Sequence, residues 1–279
     1  MNYAKKLQKA ISESHSCLCV GLDPHLDLFP DYLSDEVPDD NERVTQFLTK
    51  VVEITAPYCA AYKPNLAFFE ALGDGGLEVF HEVINSIPEG KIVIGDAKRG
   101  DIDSTARHYR EAFFDIYDMD AITLNPLMGF ETLAPYFKFP GKGLYVLTLT
   151  SNPGASDFLT KPFNGFATMA EYIATKMNEF QSKSDAALGM VVGATKPREL
   201  GPVLEKHSSA PLLIPGVGSQ GGSIEELKNV LHNHTGAPLI SSSRSILFAG
   251  GDDRKWERAV LEKVKSYRQR LMPITQRYE

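Results

Sequence analysis

The chain has 279 residues, of which 43% are hydrophobic and 23% charged, an ordinary balance for a globular protein with a sizeable core. Its formal net charge of −7 argues against general nucleic-acid binding, which normally shows as a basic excess. No run of apolar residues is long enough to cross a membrane, and Met1–Ser14 lacks the apolar centre of a signal peptide. We therefore expect a cytoplasmic protein with neither a nucleic-acid nor a membrane partner.

The sequence contains three cysteines, Cys17, Cys19 and Cys59, all within apolar runs. An odd number of cysteines in such runs favours buried, reduced thiols over a disulfide framework. No Cys-x-x-Cys pair occurs, so the sequence predicts no structural zinc site.

Eight short apolar runs are mostly rich in Val, Ile, Leu or Cys and lack polar alternation, which is typical of strands buried on both faces. Each ends at polar, Gly or Pro residues. In chain order they are Cys17–Leu22, Cys59–Tyr62, Ile92–Ile94, Ala121–Leu124, Leu144–Leu149, Leu188–Val192, Pro211–Ile214 and Pro238–Ile240.

Segments with helical spacing lie between these runs. The clearest are Asn41–Thr55, Leu77–Ile87, Thr105–Tyr117, Phe166–Phe180, Ser223–Leu231 and Lys255–Leu271. Strand and helix alternate along the whole chain, which predicts an α/β fold with a parallel sheet. Eight units in one uninterrupted series favour a closed (β/α)8 TIM barrel over an open sheet. Because no linker interrupts the series, we expect a single domain over residues 1–279.

Two connections from strand to helix are longer than usual, Asp23–Asp40 and Ser151–Asn164. Long loops in compact domains are often lids over a site. Both follow strands, so both would lie on the C-terminal face of the barrel, where TIM-barrel active sites are built.

Polar residues stand at the ends of all eight predicted strands. One interpretation is that each simply terminates its strand, and the other is that they converge on one pocket. Eight together favour convergence. In chain order they are Asp23, Lys63 with Asn65, Asp96 with Lys98, Asn125, Thr150 with Ser151, Thr195 with Lys196, Gly216 to Gln220, and Ser243 with Arg244.

The densest of these clusters is Asp96-x-Lys98-x-x-Asp101. Side chains alternate along a strand, so Asp96 and Lys98 should project from the same face. The structural alternative is an ion pair at the barrel rim, with Asp101 or Asp103 as the N-cap of the next helix. Two nearby carboxylates would keep Lys98 an ammonium near neutral pH. Such a lysine is a poor nucleophile but can stabilise a developing carbanion and then protonate it.

A second cluster, Gly216-Val-Gly218-Ser-Gln220-Gly-Gly222, follows the seventh strand, and Ser243-Arg244 follows the eighth. Glycines let backbone N–H groups approach a phosphate, and an arginine adds a charge-assisted pair. Loops after strands seven and eight form the usual phosphate site of this fold. The sequence therefore predicts a phosphorylated substrate.

Asp96-Ala-Lys98-Arg-Gly-Asp101-Ile resembles the signature of the orotidine 5′-phosphate decarboxylases, and Lys-Arg-Gly-Asp is the form in their longer bacterial branch. Further segments agree over roughly residues 15–250. They are CVGLDP at Cys19–Pro24, YKPN at Tyr62–Asn65, LTSNPGA at Leu149–Ala155, VVGAT at Val191–Thr195, PGVGSQGG at Pro215–Gly222 and SSSRSI at Ser241–Ile246.

The resemblance implies a homodimeric decarboxylase that needs no cofactor and no metal. Lys63 would hold Asp96, and Asp96 would lie against the substrate carboxylate. Lys98 would protonate C6 of the pyrimidine after carbon dioxide leaves. Asp101 would be donated to the active site of the other subunit, which would place the active sites at the dimer interface.

The resemblance also implies the contacts that bind the nucleotide. Asp23 would bind the ribose hydroxyls, and Ser151 would read the pyrimidine amide. The phosphate contacts would come from Gly218, Gln220, Ser243 and Arg244. The chain departs from the shorter branch of the family, which commonly has His at the position of Gly100 and a second phosphate arginine where this chain has Val217 and Gly218.

Three alternatives remain open at this point. One is a sugar-phosphate decarboxylase, which in a metal-dependent form would lose activity with a chelator. Another is a Schiff-base aldolase, which borohydride would trap covalently on its substrate. The third is a barrel that binds a phosphorylated ligand without catalysis, in which Lys98 would not be needed together with Asp96 and Asp101.

Overall fold

The computed structural model describes residues 1–195, 197–217, 223–252 and 254–279. Within these residues lie eight strands, one in each apolar run predicted from the sequence. They are β1 (Leu18–Leu22), β2 (Ala61–Pro64), β3 (Ile92–Arg99), β4 (Ala121–Leu124), β5 (Gly143–Leu149), β6 (Ala187–Val192), β7 (Leu212–Pro215) and β8 (Pro238–Ser242).

Twelve α-helices lie in the described part of the chain, and the six predicted helices are among them. They are α1 (Tyr3–Ser14), α2 (Asp31–Glu36), α3 (Asp40–Thr55), α4 (Leu66–Glu70), α5 (Gly76–Asn85), α6 (Asp103–Arg110), α7 (Ala155–Phe158), α8 (Met169–Gln181), α9 (Pro197–Lys206), α10 (Ile224–Val230), α11 (Arg244–Leu247) and α12 (Trp256–Thr275). A π-helical segment, Glu111–Ile116, continues α6. No helix among the described residues combines the length and apolar character needed to cross a membrane.

Polar side chains set the starts of several of these helices. Asp39, Thr168 and Ser223 precede α3, α8 and α10, and each accepts a hydrogen bond from the backbone N–H three residues further on. Each cap satisfies one of the N–H groups that a helix leaves unpaired at its first turn. Three of the predicted helices therefore begin at a capping residue that is present in the local sequence.

The eight strands are hydrogen-bonded in the order β1 to β8 as a closed barrel, and every recorded ladder is parallel. All residues of β1, β2, β4 and β8 are buried, as expected for strands covered on both faces. The predicted (β/α)8 TIM barrel is confirmed.

The chain divides into two compact units. The first comprises residues 1–8 and 98–241, and the second comprises residues 9–97 and 242–279. The expectation of a single domain over residues 1–279 stays a prediction.

In the first unit, the start of α1 is attached to the strands. The hydroxyl groups of Tyr3 and Tyr145 share a hydrogen bond of 3.0 Å, and both side chains are buried. Lys6 forms an ion pair with the buried carboxylate of Asp120, the residue just before β4. The first residues of α1 are thus attached to β5 and to the residue before β4.

In the second unit, an aromatic cluster packs the segment after β1 against α3 and the start of α12. The ring of Phe47 lies 4.4 Å from that of Phe29, 4.7 Å from that of Trp256, and 5.7 Å from that of Phe248, on which it is stacked. The indole N–H of Trp256 donates to the hydroxyl of Tyr32 at 2.8 Å. The long connection predicted at Asp23–Asp40 is therefore partly helical, through α2, and is anchored by aromatic packing.

We predict that His207 makes the protein less stable in mild acid. Its ring is buried, and its Nε2 atom lies 3.1 Å from the carbonyl oxygen of Leu188. Burial lowers the pKa of His207, and the hydrogen bond to Leu188 offsets this only in part. The unfolded chain then binds more protons than the folded one once the pH falls below about 6.5. His207 therefore leaves the free energy of unfolding unchanged above that pH and lowers it below.

The measurement is the unfolding free energy in urea at pH 7.5 and pH 5.5, for the wild type and for His207→Gln. The loss between the two pH values should be smaller in His207→Gln, whereas the exposed control His108→Gln should match the wild type. An equal acid-induced loss in all three proteins would contradict the prediction.

Candidate active site

The boundary between the two units falls inside β3, between Ala97 and Lys98. The residues predicted for the site therefore belong to two groups. The second unit holds Asp23, Lys63, Asp96, Ser243 and Arg244. The first unit holds Lys98, Asp101 and Ser151.

In the second unit, Lys63 and Asp96 form a buried ion pair. The Nζ atom of Lys63 donates to Oδ2 of Asp96 at 2.6 Å, and each side chain is only 9% exposed. The register of the strands explains the pairing, because Ala61 lies opposite Ile92 and the bridge between Asn65 and Asp96 continues the alignment. Side chains alternate along strands, so Lys63 and Asp96 project from the same face. The predicted contact is present.

The charges around Lys63 keep it protonated. Burial alone would lower the pKa of its ammonium, but the carboxylates of Asp96 and Asp23 and the hydrogen bond to Asp96 outweigh it and raise the pKa above its ordinary value. Lys63 is therefore a fixed positive charge at neutral pH. It serves to hold carboxylates in place rather than to act as a nucleophile.

Asp23 and Ser243 lie together around Gly21 of β1. A Cβ at Gly21 would stand 2.7 Å from Cβ of Ser243 and 3.4 Å from Oδ2 of Asp23, so only glycine leaves room for both side chains. Oδ1 of Asp23 and Oγ of Ser243 are buried and have no hydrogen-bond partner among the described residues. Buried polar atoms of this kind are normally paired, so the two atoms suit the hydroxyl or phosphate groups of a ligand.

In the first unit, Lys98 lies in an unusual backbone conformation. Its φ angle is +48°, in the left-handed region, and its side chain is exposed. A non-glycine residue in this region costs about 1–2 kcal/mol and persists where the surroundings impose it. The backbone N–H of Lys98 donates to Oγ1 of Thr123, a buried residue of β4, at 2.9 Å. The sequence predicted the position of Lys98 but neither its conformation nor this contact.

The next residues follow β4 closely. The carbonyl of Arg99 accepts from the backbone N–H of Asn125 at 2.8 Å. A Cβ at Gly100 would stand 2.7 Å from the carbonyl oxygen of Asn125, so this position has no room for a side chain. Gly100 is thus explained by packing against the end of β4.

Asp101 is partly buried, and its Oδ1 atom accepts from the N–H of Ile102 at 2.8 Å. Ile102 occupies the N-cap position of α6 and has no side-chain cap bond, so the alternative in which Asp101 or Asp103 caps this helix is wrong. Burial raises the pKa of the Tyr136 hydroxyl, and the charge of Asp101 contributes to the rise.

The remaining predicted residues are placed as follows. Ser151 is partly buried after β5, and its carbonyl accepts from Oγ1 of Thr195 at 3.4 Å. Arg244 is exposed at the start of α11. Gly218 and Gln220 lie outside the described residues, so the phosphate contacts predicted after β7 stay predictions.

Charged and hydroxyl-bearing side chains in the last residues of parallel barrel strands and just after them are typical of the class of TIM-barrel enzymes. Comparison with known proteins narrows this class. A family model described as "Orotidine 5'-phosphate decarboxylase / HUMPS family" matches residues 16–259. The chain belongs to this family.

Relatives in this family cover nearly the whole chain. An orotidine 5'-phosphate decarboxylase of Herpetosiphon aurantiacus is 42% identical over 253 residues, which are 89% of this chain and 90% of the relative. One of Thermomicrobium roseum is 36% identical over 275 residues, 97% of this chain and 96% of the relative.

Solved structures agree with the fold. The OMP decarboxylase of Leishmania donovani superposes with a TM-score of 0.77 at 30% identity, over 96% of this chain and all of that chain. A UMP synthase of the same organism matches with a TM-score of 0.79 at 32% identity over 96% of this chain. This chain spans only 57% of that longer protein.

Proposed function

We propose that this chain decarboxylates orotidine 5′-monophosphate to uridine 5′-monophosphate and carbon dioxide, the last step of de novo pyrimidine synthesis. The observation that carries the proposal is the buried pair of Lys63 in β2 and Asp96 in β3. Asp96 precedes Lys98 by two residues in the sequence. The names of two relatives, of which this chain covers 90% and 96%, support the same reaction.

In the proposed reaction, the bond between C6 and the carboxyl carbon breaks, and its electron pair stays on C6. The ammonium of Lys98 stabilises this charge and then transfers a proton to C6. Neutral Lys98 regains a proton from water. A positive charge that is fixed where negative charge develops lowers the activation barrier most in a site closed to water.

The other charged residues have supporting roles. Asp96 lies against the substrate carboxylate and is held in place by Lys63. Asp101 acts in the active site of a second subunit, so the functional unit is a homodimer with its sites at the interface. Ile102 is 51% exposed beside Asp101, and Leu127 and Met128 after β4 are 72% and 52% exposed, which suits an apolar surface covered by a second copy.

The substrate is bound by residues around the strand ends. Asp23 binds the ribose hydroxyls, and Ser151 reads the pyrimidine amide. The phosphate is held by Ser243 and Arg244, together with Gly218 and Gln220. The unpaired buried atoms of Asp23 and Ser243 support these assignments.

The uncatalysed reaction has a high activation barrier, because the vinyl carbanion at C6 is poorly delocalised. The required lowering of the activation barrier is on the order of 20 kcal/mol, near the upper end of what enzymes reach. No single contact supplies this much. Binding of the phosphate adds to the effect of the fixed charges by holding the pyrimidine in place while the loops close.

The proposal is tested by adding purified protein to orotidine 5′-monophosphate with a chelator present and following the pyrimidine absorbance. Rapid turnover that the chelator leaves unchanged is expected, because the proposed mechanism uses neither a metal nor a cofactor. Loss of activity with the chelator would favour a metal-dependent sugar-phosphate decarboxylase. Covalent trapping by borohydride would favour an aldolase, and nucleotide binding without turnover would favour a non-catalytic barrel.

We also propose that the protein works in the cytoplasm. Its three cysteines, Cys17, Cys19 and Cys59, are all buried, and none of them forms a disulfide bond. Burial raises the pKa of the Cys17 and Cys59 thiols to about 11, which keeps them protonated and unreactive. Thiols of this kind suit a reducing compartment.

We predict that Arg244→Ala mainly weakens substrate binding. A charge-assisted hydrogen bond to a phosphate contributes about 1.5–3 kcal/mol, so KM should rise about 10- to 100-fold with a smaller change in kcat. Steady-state kinetics measures both constants. Arg254→Ala is the control, because Arg254 is also exposed in the second unit but pairs with Glu36 at 3.3 Å. An unchanged KM in Arg244→Ala would remove this residue from the phosphate site.

A further inference from the structure

The conformation of Lys98 needs a cause, because a lysine does not adopt a φ angle of +48° by preference. Three contacts between described residues restrain the backbone around it, all within the first unit. The N–H of Lys98 is bonded to the hydroxyl of Thr123, the carbonyl of Arg99 is bonded to Asn125, and Gly100 lies directly on the carbonyl of Asn125. The end of β4 thus determines the path of the chain through Lys98.

Only one of these restraints is made by a side chain. The hydroxyl of Thr123 accepts the N–H of Lys98 at 2.9 Å, and Thr123 is itself 1% exposed in the middle of β4. A β-branched side chain in a strand has few rotamers, so the hydroxyl is held in one place. The direction in which the exposed Lys98 side chain leaves the backbone depends on its dihedral angles, and this hydrogen bond restrains them from the N–H side.

We propose that Thr123 is a positioning residue of the decarboxylase: its hydroxyl holds the backbone of Lys98 in the left-handed conformation that directs the ammonium toward C6. The inference rests on the proposed role of Lys98 as the proton donor. Thr123 acts through Lys98 and does not touch the substrate. A small displacement of a reacting group is enough to slow an enzyme about 100-fold.

The test compares Thr123→Val, which removes the hydroxyl and keeps the shape, with Thr123→Ser, which keeps the hydroxyl. Thr275→Val is the matched control. Thr275 is also a fully buried threonine whose hydroxyl accepts a backbone N–H, that of Cys17 at 3.1 Å, but it lies in α12 of the second unit. Kinetics with orotidine 5′-monophosphate, the Kd of the product uridine 5′-monophosphate and the unfolding free energy are measured for each variant.

We expect kcat of Thr123→Val to fall about 10- to 100-fold, while KM and the product Kd stay within about threefold of the wild type. Thr123→Ser should recover kcat to within about threefold, and Thr275→Val should lose stability but not kcat. Thr123→Ala should show the same fall in kcat as Thr123→Val, and it is used instead if the valine variant does not fold.

Wild-type kcat in Thr123→Val, or a serine variant as slow as the valine variant, would overturn the inference. A loss of kcat in Thr275→Val equal to that in Thr123→Val would do the same, because it would reveal a general effect of stability. Failure of the wild type to turn over orotidine 5′-monophosphate would instead contradict the proposed function.

Discussion

Replacement of Lys98 by alanine is expected to lower kcat by at least about 10⁴-fold, since the proposed mechanism assigns to Lys98 both the general acid and the charge that stabilises the carbanion. The fold should remain intact, because the Lys98 side chain is exposed and alanine adopts the left-handed conformation no less readily than lysine. Turnover is measured with orotidine 5′-monophosphate, folding by circular dichroism, and binding by the Kd of the product.

Two further variants separate the charge of Lys98 from its proton donation and control for the loss of an exposed lysine. Lys98→Arg keeps the positive charge, but a guanidinium does not give up a proton near neutral pH, so this variant should be nearly as slow as Lys98→Ala. Lys138→Ala removes another exposed lysine of the first unit, one that pairs with Asp185 at 3.4 Å, and should retain full activity. Near-normal turnover in Lys98→Ala would contradict the role of Lys98, and normal turnover in Lys98→Arg would contradict proton donation.

Breaking the pair of Lys63 and Asp96 is expected to reduce both stability and activity. Lys63→Met leaves the carboxylate of Asp96 buried without its ammonium, with Asp23 nearby, and loss of one partner of a buried pair costs about 3–5 kcal/mol. The pKa of folded Lys63 lies above its ordinary value of 10.5, so the stability that the pair contributes is complete at neutral pH and is lost only as the pH rises through the folded pKa. Urea unfolding at pH 7 measures the loss.

The double variant Lys63→Met/Asp96→Asn separates stability from function. Removing the unpaired charge should restore at least half of the lost unfolding free energy, whereas activity should stay absent because the proposed mechanism requires the carboxylate of Asp96. Lys9→Met is the control for an exposed pair, since Lys9 and its partner Glu13 are 58% and 56% exposed, and it should cost less than about 1 kcal/mol. An equal cost in Lys63→Met and Lys9→Met would contradict the buried-pair account.

The strand series and the main charged residues could be predicted from the sequence, because both depend on local patterns. Continuous apolar runs identified all eight strands, and polar residues at their ends identified Lys63, Asp96 and Lys98. The pairing of Lys63 with Asp96 depends on the register between β2 and β3, which no local pattern specifies. It was predicted from resemblance to a family rather than from spacing.

Other features of the site could not be predicted, because they arise from packing. Thr123 lies in the run Ala121–Leu124. Threonine is common in strands, so its presence there does not indicate a functional role. A lysine gives no local signal for a positive φ, so the conformation of Lys98 was missed. Helix α9 was missed as well, because Pro197 at its start and Pro202 within it lower its helical character in the sequence.

The packing of Gly100 limits which residues can replace it. Even a methyl group at this position would stand 2.7 Å from the carbonyl oxygen of Asn125. A larger residue would therefore have to be accompanied by a shift of the residues after β4, the same segment that bonds to Arg99. Substitutions at Gly100 are thus coupled to the neighbouring strand, since a lone change would disturb the backbone that follows Lys98.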